Sequence, residues 1–228
     1  MGLLGKAAMI LSFDIEEGAI AEHDDWHSHE HLQERMSIPG FLRGSRWISV
    51  SSAPHYFVLY EVDDLDTLVS KPYLDRLNNP SAWTARMMSH YRGMKRGFCR
   101  LVFSSGNGLG IHGLLLRLSP NPTGDTALRD WLTQEALPVL TRKPGLVGTH
   151  LFEASLAAEM TEEQRIRGKD SGLDWVLLIT GYDAATVAVV ADTILSFGEL
   201  ERQGAINQIS GIYQLVHSLS AIEITNEQ

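Results

Sequence analysis

The sequence predicts an α+β fold made of two similar modules in tandem. Six residues of the first half return in the second half at a constant offset of 105 positions (25 to 130): Asp25, Trp26, Glu30, Leu32, Pro39 and Gly40 recur as Asp130, Trp131, Glu135, Leu137, Pro144 and Gly145. Both halves also read as apolar strands alternating with helical segments. A repeat of this length has the size of a small domain and is too long for a solenoid unit.

The first module contains four predicted strands, which lie at 7–15, 42–51, 56–62 and 96–104. A short turn at Ala53-Pro54 joins the second strand to the third. The first helix has Asp24 or Asp25 as its N-cap and ends before Pro39-Gly40, because a Pro-Gly pair stops a helix. A second helical region covers 65–77, and Asn78-Asn79-Pro80 separates it from a further helical piece at 81–91.

The second module repeats this order, with strands at 111–119, 146–154, 173–181 and 211–220 and helices at 126–140 and 184–201. The segment 104–108 is rich in glycine and serine and predicts a link, so the expected domains are 1–104 and 109–228. One long insertion, 158–172, interrupts the repeat. Because it is charged and polar, we expect it to be a solvated hairpin loop or a short surface helix.

Each module therefore has the βαββαβ order of the split-βαβ, ferredoxin-like fold. Helices cover one face of such a sheet, and something else must bury the other face. We expect the two modules to pack sheet on sheet as an α+β barrel. Alternation along the first strand directs Met9, Leu11 and Phe13 towards the helices. It directs Ser12 and Asp14 into the space between the sheets, where small and polar residues are suited to a ligand cavity. The alternative interpretation without a functional role is that Ser12 and Asp14 lie at solvated strand ends.

Three segments of the first module carry a family resemblance: WHSHEHLQER at 26–35, IPGF at 38–41 and NPSAWT at 79–84. They are similar to the pattern of EthD-like proteins, and in topology nearly the whole chain resembles the dimeric α+β barrel superfamily in its fused two-module form. Members of that superfamily include cofactor-free monooxygenases, muconolactone isomerases, polyketide cyclases and haem enzymes. The resemblance therefore implies a fold and leaves the reaction open.

Composition excludes several classes of function. The chain has 228 residues, 44% of them hydrophobic, and a net charge of −9, which argues against non-specific nucleic-acid binding. No apolar run approaches the ~18 residues of a membrane helix, and the N-terminus lacks the apolar core of a signal peptide. Cys99 is the only cysteine and reads as a core residue. We expect a cytoplasmic protein with a small-molecule substrate and no membrane or nucleic-acid partner, and a homodimer rather than a 25.3 kDa monomer.

Histidines are concentrated on the first helix, at His23, His27, His29 and His31. Helical spacing brings His27, His31 and Glu34 onto one side of that helix. A neutral histidine beside a carboxylate can act as a general base, and a His pair at i and i+4 can also bind a metal. Three interpretations stay open: a solvated or structural face, a proton-transfer site, and a metal site, which no further ligand spacing supports. The second module has Leu132 and Ala136 at the equivalent positions, which favours function in the first.

Other candidate residues lie outside this helix. Arg86 and His90 form a second i, i+4 pair near Trp83 and could wall a pocket with an anion-binding group, although an amphipathic helix explains them equally. Tyr60 could donate to a substrate oxygen if its strand face points inward, although core packing is the simpler explanation. Trp26 would line the same site.

These observations predict an enzyme that works by general acid–base chemistry without a metal or a redox cofactor. No dinucleotide-binding glycine motif, P-loop or nucleophile elbow is present in the sequence. We expect a lyase, isomerase or cyclase acting on a small aromatic or cyclic metabolite, with His31 as base and His27 as its alternate. Glu34 would orient the imidazole and raise its pKa, and Arg86 or Tyr60 would stabilise negative charge. The alternatives are a cofactor-independent monooxygenase and a non-catalytic binding or stress-response protein.

Overall fold

The computed structural model describes residues 2–50, 54–156, 160–168 and 170–225. Its eight strands are β1 (Ala7–Ile15), β2 (Phe41–Ser49), β3 (Tyr56–Val62), β4 (Tyr91–Gly106), β5 (His112–Pro120), β6 (Leu146–Leu156), β7 (Trp175–Gly181) and β8 (Ala205–Ser220). All eight match predicted strands, and β4, β6 and β8 are longer than expected. Ala53 of the predicted turn at Ala53-Pro54 and part of the insertion 158–172 fall outside the described residues.

The strands form one closed barrel in the order β1-β3-β2-β8-β5-β7-β6-β4. Every neighbouring pair is antiparallel, and each module contributes the ferredoxin-like order of four strands. Two pairs between the modules close the barrel, β2 with β8 and β4 with β6. The predicted α+β barrel is therefore confirmed. Ser104, Ser105 and Gly106 of the expected link belong to β4 and pair with β6, whereas the division into domains 1–104 and 109–228 stays a prediction.

Ten short α-helices cover the barrel in the described part of the chain. They are α1 (Ile20–Trp26), α2 (Leu32–Met36), α3 (Lys71–Asn78), α4 (Ala82–Met88), α5 (Asp125–Trp131), α6 (Leu137–Thr141), α7 (Glu162–Arg167), α8 (Ala184–Asp192), α9 (Phe197–Arg202) and α10 (Ala221–Thr225). A π-helical turn, His27–His31, joins α1 to α2, and a second one, Leu132–Ala136, joins α5 to α6. The two turns lie at the repeat offset. None of the described helices is long and apolar enough to span a bilayer.

Three separate apolar clusters form the core. Two of them lie between helices and sheet, one in each module, and the predicted helix-facing residues Met9, Leu11 and Phe13 belong to the first. The third fills the barrel interior with large side chains, including Trp47, Phe57 and Tyr213. Large side chains therefore pack in the space between the sheets.

The repeated Pro-Gly pair ends the first helix of each module for a backbone reason. Gly40 and Gly145 both have a positive φ, +89° and +94°, which strains any residue that carries a Cβ atom. A Cβ on Gly40 would also lie 2.6 Å from the Thr67 hydroxyl oxygen, and one on Gly145 would lie 2.7 Å from that of Thr186. The repeat thus preserves two tight contacts between the end of the first helix of each module and the segment that follows its third strand.

The insertion corrects one expectation. It contains the helix α7 as predicted, but this helix is not a solvated surface element, because Glu163 and Gln164 are buried. Thr161 and Gln164 form a capping box at its N-terminus, and α7 packs against α3 and α4 of the first module. Ser171 then pairs with β4 through backbone hydrogen bonds to Met94 and Arg96. A segment of the second module is therefore built into the first.

Candidate active site

A small cavity lies between the helices and the sheet of the first module. Apolar side chains from β1, β3 and α4 form much of its wall, among them Leu11, Phe13, Val58 and Met88. Its volume is about 20 Å³, counted as space open to the centre of a water molecule, which is room for one or two waters. His27, His31 and Tyr60 line the same cavity. The structure thus brings together three of the predicted site residues.

The π-helical turn sets the direction of the two histidines. A π turn is wider than an α turn and often occurs at functional sites. Here it places the rings of His27 and His31 on one side of the helix, with centroids 5.6 Å apart. The His31 ring packs on Trp26 at 4.3 Å, and His27 Nε2 shares a hydrogen bond with the Tyr60 hydroxyl at 3.2 Å. Trp26 itself is fully buried, and its ring contact limits the orientation of the His31 ring.

Burial and nearby positive charges keep both histidines neutral. Desolvation lowers the pKa of His27 well below its ordinary value, and His23 and Arg46 add to the effect. Desolvation, followed by the Arg35 guanidinium, does the same to the pKa of His31. The Nδ1 atoms of His27 and His31 are buried and make no hydrogen bond within the described residues. Each ring therefore has a nitrogen free to bind or move a proton.

Glu34 does not orient His31. Its Oε1 accepts a hydrogen bond from Arg76 Nη1 at 3.0 Å, and Glu34 is not among the residues that line the cavity. The π-helical turn shifts the angular positions of the residues that follow it, so the α-helical spacing used for the prediction does not hold. The expected increase in the pKa of His31 is therefore wrong in sign, because burial, followed by the positive charge of Arg35, lowers that pKa.

The second group of candidates lies on the outer surface. Arg86 and the Trp83 indole both donate to Glu22 Oε1, and His90 pairs with Glu16 at 2.7 Å. Arg86, Trp83 and His90 are not among the side chains that line the cavity. Helix α4 turns Met87 and Met88 inward instead, so Arg86 points to solvent, as an amphipathic helix requires. His90 lies two residues beyond the end of this helix and is partly exposed.

Ser12 and Asp14 also lie away from the cavity. Ser12 is buried on the interior face of the barrel, next in sequence to residues that face the helices. Asp14 accepts a hydrogen bond from the backbone N–H of His55 at 2.7 Å. Neither residue is among the side chains that line the cavity of the first module, and their role in ligand binding stays a prediction.

Sequence reasoning missed a cluster of buried charges that lines the cavity. Arg35 Nη2 lies 2.7 Å from Glu163 Oε1, Arg96 Nε lies 2.9 Å from Asp170 Oδ2, and Arg167 Nη2 lies 2.8 Å from the same Asp170 oxygen. Arg35 follows His31 by four residues, a spacing that could have indicated it. No sequence signal placed Glu163, Arg167 and Asp170 here, since they belong to the insertion.

The residues present do not fit a metal ion or a haem. Residues 2–50, 54–156, 160–168 and 170–225 contain no group of three or more His, Cys, Asp or Glu side chains placed to hold a metal ion. The carboxylates nearest the histidines are engaged by arginines. A haem, which the resemblance allows, needs far more room than about 20 Å³. Cys99 is no nucleophile either, because burial raises the pKa of its thiol to about 12.

The equivalent place in the second module holds no such site. At the repeat offset, Leu132, Ala136 and Leu140 replace His27, His31 and Arg35. All three are buried in the apolar cluster of that module. The modules thus share the π-helical turn, but at these three positions the first has polar side chains and the second has apolar ones.

Comparison with solved structures finds this fold over nearly the whole chain. The structure of an anthrone oxidase-like protein covers 97% of this chain and 96% of its own, at 11% identity and a TM-score of 0.66. A protein from Fusobacterium nucleatum subsp. nucleatum, provisionally named a monooxygenase, covers 96% of each chain at 7% identity and a TM-score of 0.65. A protein of the same provisional name from Lactobacillus acidophilus covers 94% of this chain and 96% of its own, at 8% identity and a TM-score of 0.61.

These identities are too low to show more than a common fold. No family model matches the sequence, and no curated protein matches it. The chain is an α+β barrel with ferredoxin-like modules, similar in architecture to monooxygenase-like proteins.

Proposed function

We propose that the cavity of the first module is the active site of an enzyme that removes a proton from a small aromatic or cyclic metabolite. The observation that carries this proposal is the pair of neutral, buried imidazoles of His27 and His31 beside Tyr60, in a cavity whose remaining wall combines apolar side chains with a group of buried charges. Apolar walls suit a ring, and a few convergent polar groups suit its orientation. Isomerisation, cyclisation and elimination of small molecules can all begin with such a proton transfer.

His31 is the base in this proposal and His27 its alternate. A neutral imidazole accepts a proton, and the low pKa of His31 rises when an anion forms beside it and offsets the charge of Arg35. The Tyr60 hydroxyl remains protonated, because burial raises its pKa above the ordinary value. It can donate a hydrogen bond to an oxygen on which negative charge develops, with His27 as its second partner.

Binding of a ring requires the cavity to widen. Three unbranched side chains line it that can change rotamer at low cost, those of Met9, Met88 and Met94. The Met9 sulfur now accepts a hydrogen bond from the Tyr73 hydroxyl at 3.0 Å, so part of the wall is held by a single weak contact. Closure of this wall around a substrate would exclude water during proton transfer.

Turnover of a small panel of candidate substrates tests the proposal. Anthrone, naphthol and muconolactone would be offered to the wild type and to His31→Ala, with product measured by mass spectrometry. Loss of the base should lower kcat at least about 100-fold. His29→Ala is the matched control, because His29 lies on the same turn but is exposed and bonded to the Asp25 carbonyl. Equal turnover by wild type and His31→Ala, or no turnover of any compound by the wild type, would reject the assignment and favour a non-catalytic binding protein.

A cofactor-independent monooxygenase is the second candidate. Its support is that solved structures of the same fold, matched over nearly their whole length, are named anthrone oxidase-like or provisionally monooxygenase. The first step would be the same, since a substrate anion must form before it can give an electron to oxygen. Oxygen consumption during turnover separates the two: a monooxygenase consumes oxygen with product and stops under nitrogen, whereas an isomerase or cyclase does neither.

A further inference from the structure

Among the residues that the structure describes, the buried charges beside the cavity do not balance. Three guanidinium groups, those of Arg35, Arg96 and Arg167, face two carboxylates, those of Glu163 and Asp170. All five side chains are less than a tenth exposed. Since arginine stays protonated in proteins, the cluster carries one positive charge in excess. An uncompensated charge is costly to bury, which calls for a compensating group.

Two of the three arginines also have hydrogen-bond donors left over. Arg35 Nη1 and Arg96 Nη2 are buried and have no partner within the described residues. Arg96 Nε is 2.9 Å from Asp170 Oδ2, an ion-pair contact without hydrogen-bond geometry. Arg167 differs, because its Nε and Nη2 donate to the two oxygens of Asp170 at 3.0 and 2.8 Å. The unused donors therefore belong to two arginines that come from different elements, α2 and β4, and that line the same cavity.

We propose that Arg35 and Arg96 together form a binding site for an anionic oxygen group, a carboxylate or an ionised hydroxyl, in the cavity of the first module. Such a group would accept from the two free donors and neutralise the excess charge, as charge-assisted hydrogen bonds to arginine do elsewhere. That this group belongs to the substrate rests on the proposed function, whereas anion binding itself does not. The substrate class is then a ring that carries a carboxylate or an acidic hydroxyl.

The competing explanation is that water satisfies the two donors. The cavity has room for one or two waters, and buried polar groups are commonly paired in this way. Water would satisfy the hydrogen bonds but leave the positive charge in place. The two explanations therefore differ in whether the cavity prefers an anion to a neutral molecule of the same size and shape.

Formate and formamide provide that comparison, since both are small enough for the cavity as it stands and only formate is charged. The ring signals of His27 and His31 would be followed by NMR during titration with each compound, at constant ionic strength set with gluconate. We expect formate to bind at least about 10-fold more tightly than formamide, which corresponds to a difference of about 1.4 kcal/mol in binding free energy. Equal binding of the two, or no response of either histidine to formate, overturns the proposal in favour of water.

A variant of Arg96 tests whether the preference for formate over formamide arises at the proposed site. Arg96→Gln removes the excess charge, and Asp170 keeps Arg167 as its partner, so no carboxylate is left unpaired. The preference for formate over formamide should disappear. Arg92→Gln is the matched control, because Arg92 lies on the same strand but pairs with Glu16 at the surface. A preference that survives in Arg96→Gln, or that is lost equally in Arg92→Gln, contradicts the proposal.

The outcome is independent of turnover. If formate binds as expected and no compound is turned over, the anion site stands and the proposed reaction fails. If turnover depends on His31 and formate shows no preference, the reaction stands and the anion site fails.

Discussion

Arg35 Nη2 and Glu163 Oε1 are 2.7 Å apart and both side chains are buried, so one ion pair joins the helix that follows the two histidines to the insertion of the second module. Glu163 lies 128 positions after Arg35 in the chain. Burial alone opposes a charge on Arg35, yet Glu163 holds the pKa of that guanidinium above its ordinary value. The candidate site of one module is therefore completed by a segment of the other.

Removal of Glu163 should destabilise the protein strongly. Glu163→Ala leaves the Arg35 guanidinium buried without its partner, which costs about 3–5 kcal/mol in the free energy of unfolding. Urea unfolding measures the change. Glu162→Ala is the control, because Glu162 is more exposed, pairs with Arg165 at the helix surface and should cost less than about 1 kcal/mol. Similar losses in the two variants would show that the buried pair has no special role.

Replacement of both partners should recover most of that loss. In Arg35→Met with Glu163→Met, neither charge remains, and well-packed apolar residues often replace a buried ion pair at little cost. Arg167 still has Asp170 at 2.8 Å. A double variant as unstable as Glu163→Ala would indicate that shape at this position, rather than charge, holds α7 in place.

The buried histidines predict that acid destabilises the fold. Because the folded-state pKa values of His27 and His31 are lowered, the unfolded chain binds more protons than the folded chain below about pH 6.5, the ordinary histidine value. Their contribution to stability is complete above that pH and is lost progressively as pH falls towards the lowered values. Unfolding midpoints in urea at pH 7.5, 6.5, 5.5 and 4.5 should decrease in that order.

A histidine variant separates this effect from general acid unfolding, to which the other buried histidines also contribute. His31→Gln should weaken the dependence between about pH 6.5 and 4.5, since one proton-binding difference is removed. His29→Gln, which changes an exposed residue on the same turn, should leave the dependence unchanged. An identical slope for wild type and His31→Gln would contradict the assigned direction of the His31 pKa.

The surface position of Arg86 and His90 yields a prediction of no effect. Arg86→Ala breaks the pair with Glu22, and His90→Ala breaks the pair with Glu16, both in exposed settings. Turnover should stay within about 2-fold of wild type and stability within about 1 kcal/mol. Kinetics on any compound that the enzyme converts will check this prediction. A 10-fold loss in kcat/KM for either variant would indicate that the changed residue contributes to the active site.

The fold was predictable because its signals are periodic and repeated. Alternation placed Met9, Leu11 and Phe13 under the helices, and the repeat identified both modules. The site was predictable only in part. His27, His31 and Tyr60 converge, as their residue types suggested. Glu34 does not point to the site because a π-helical turn precedes it, and Arg86 lies on the solvent-facing side of an amphipathic helix. Glu163 and Asp170 could not be found, since contacts across more than a hundred residues leave no local pattern.

Tyr60→Phe should lower turnover while it leaves the fold intact. The variant keeps the buried ring but loses the hydroxyl that lies 3.2 Å from His27 Nε2, and a neutral hydrogen bond contributes only about 1 kcal/mol to stability. If that hydroxyl stabilises charge in the transition state, kcat should fall about 10- to 100-fold with little change in KM. Tyr213→Phe is the matched control, because that buried hydroxyl donates to the Pro54 carbonyl at 3.0 Å away from the cavity. A Tyr60→Phe enzyme as active as Tyr213→Phe would leave Tyr60 as a packing residue and restrict the proposed chemistry to the two histidines.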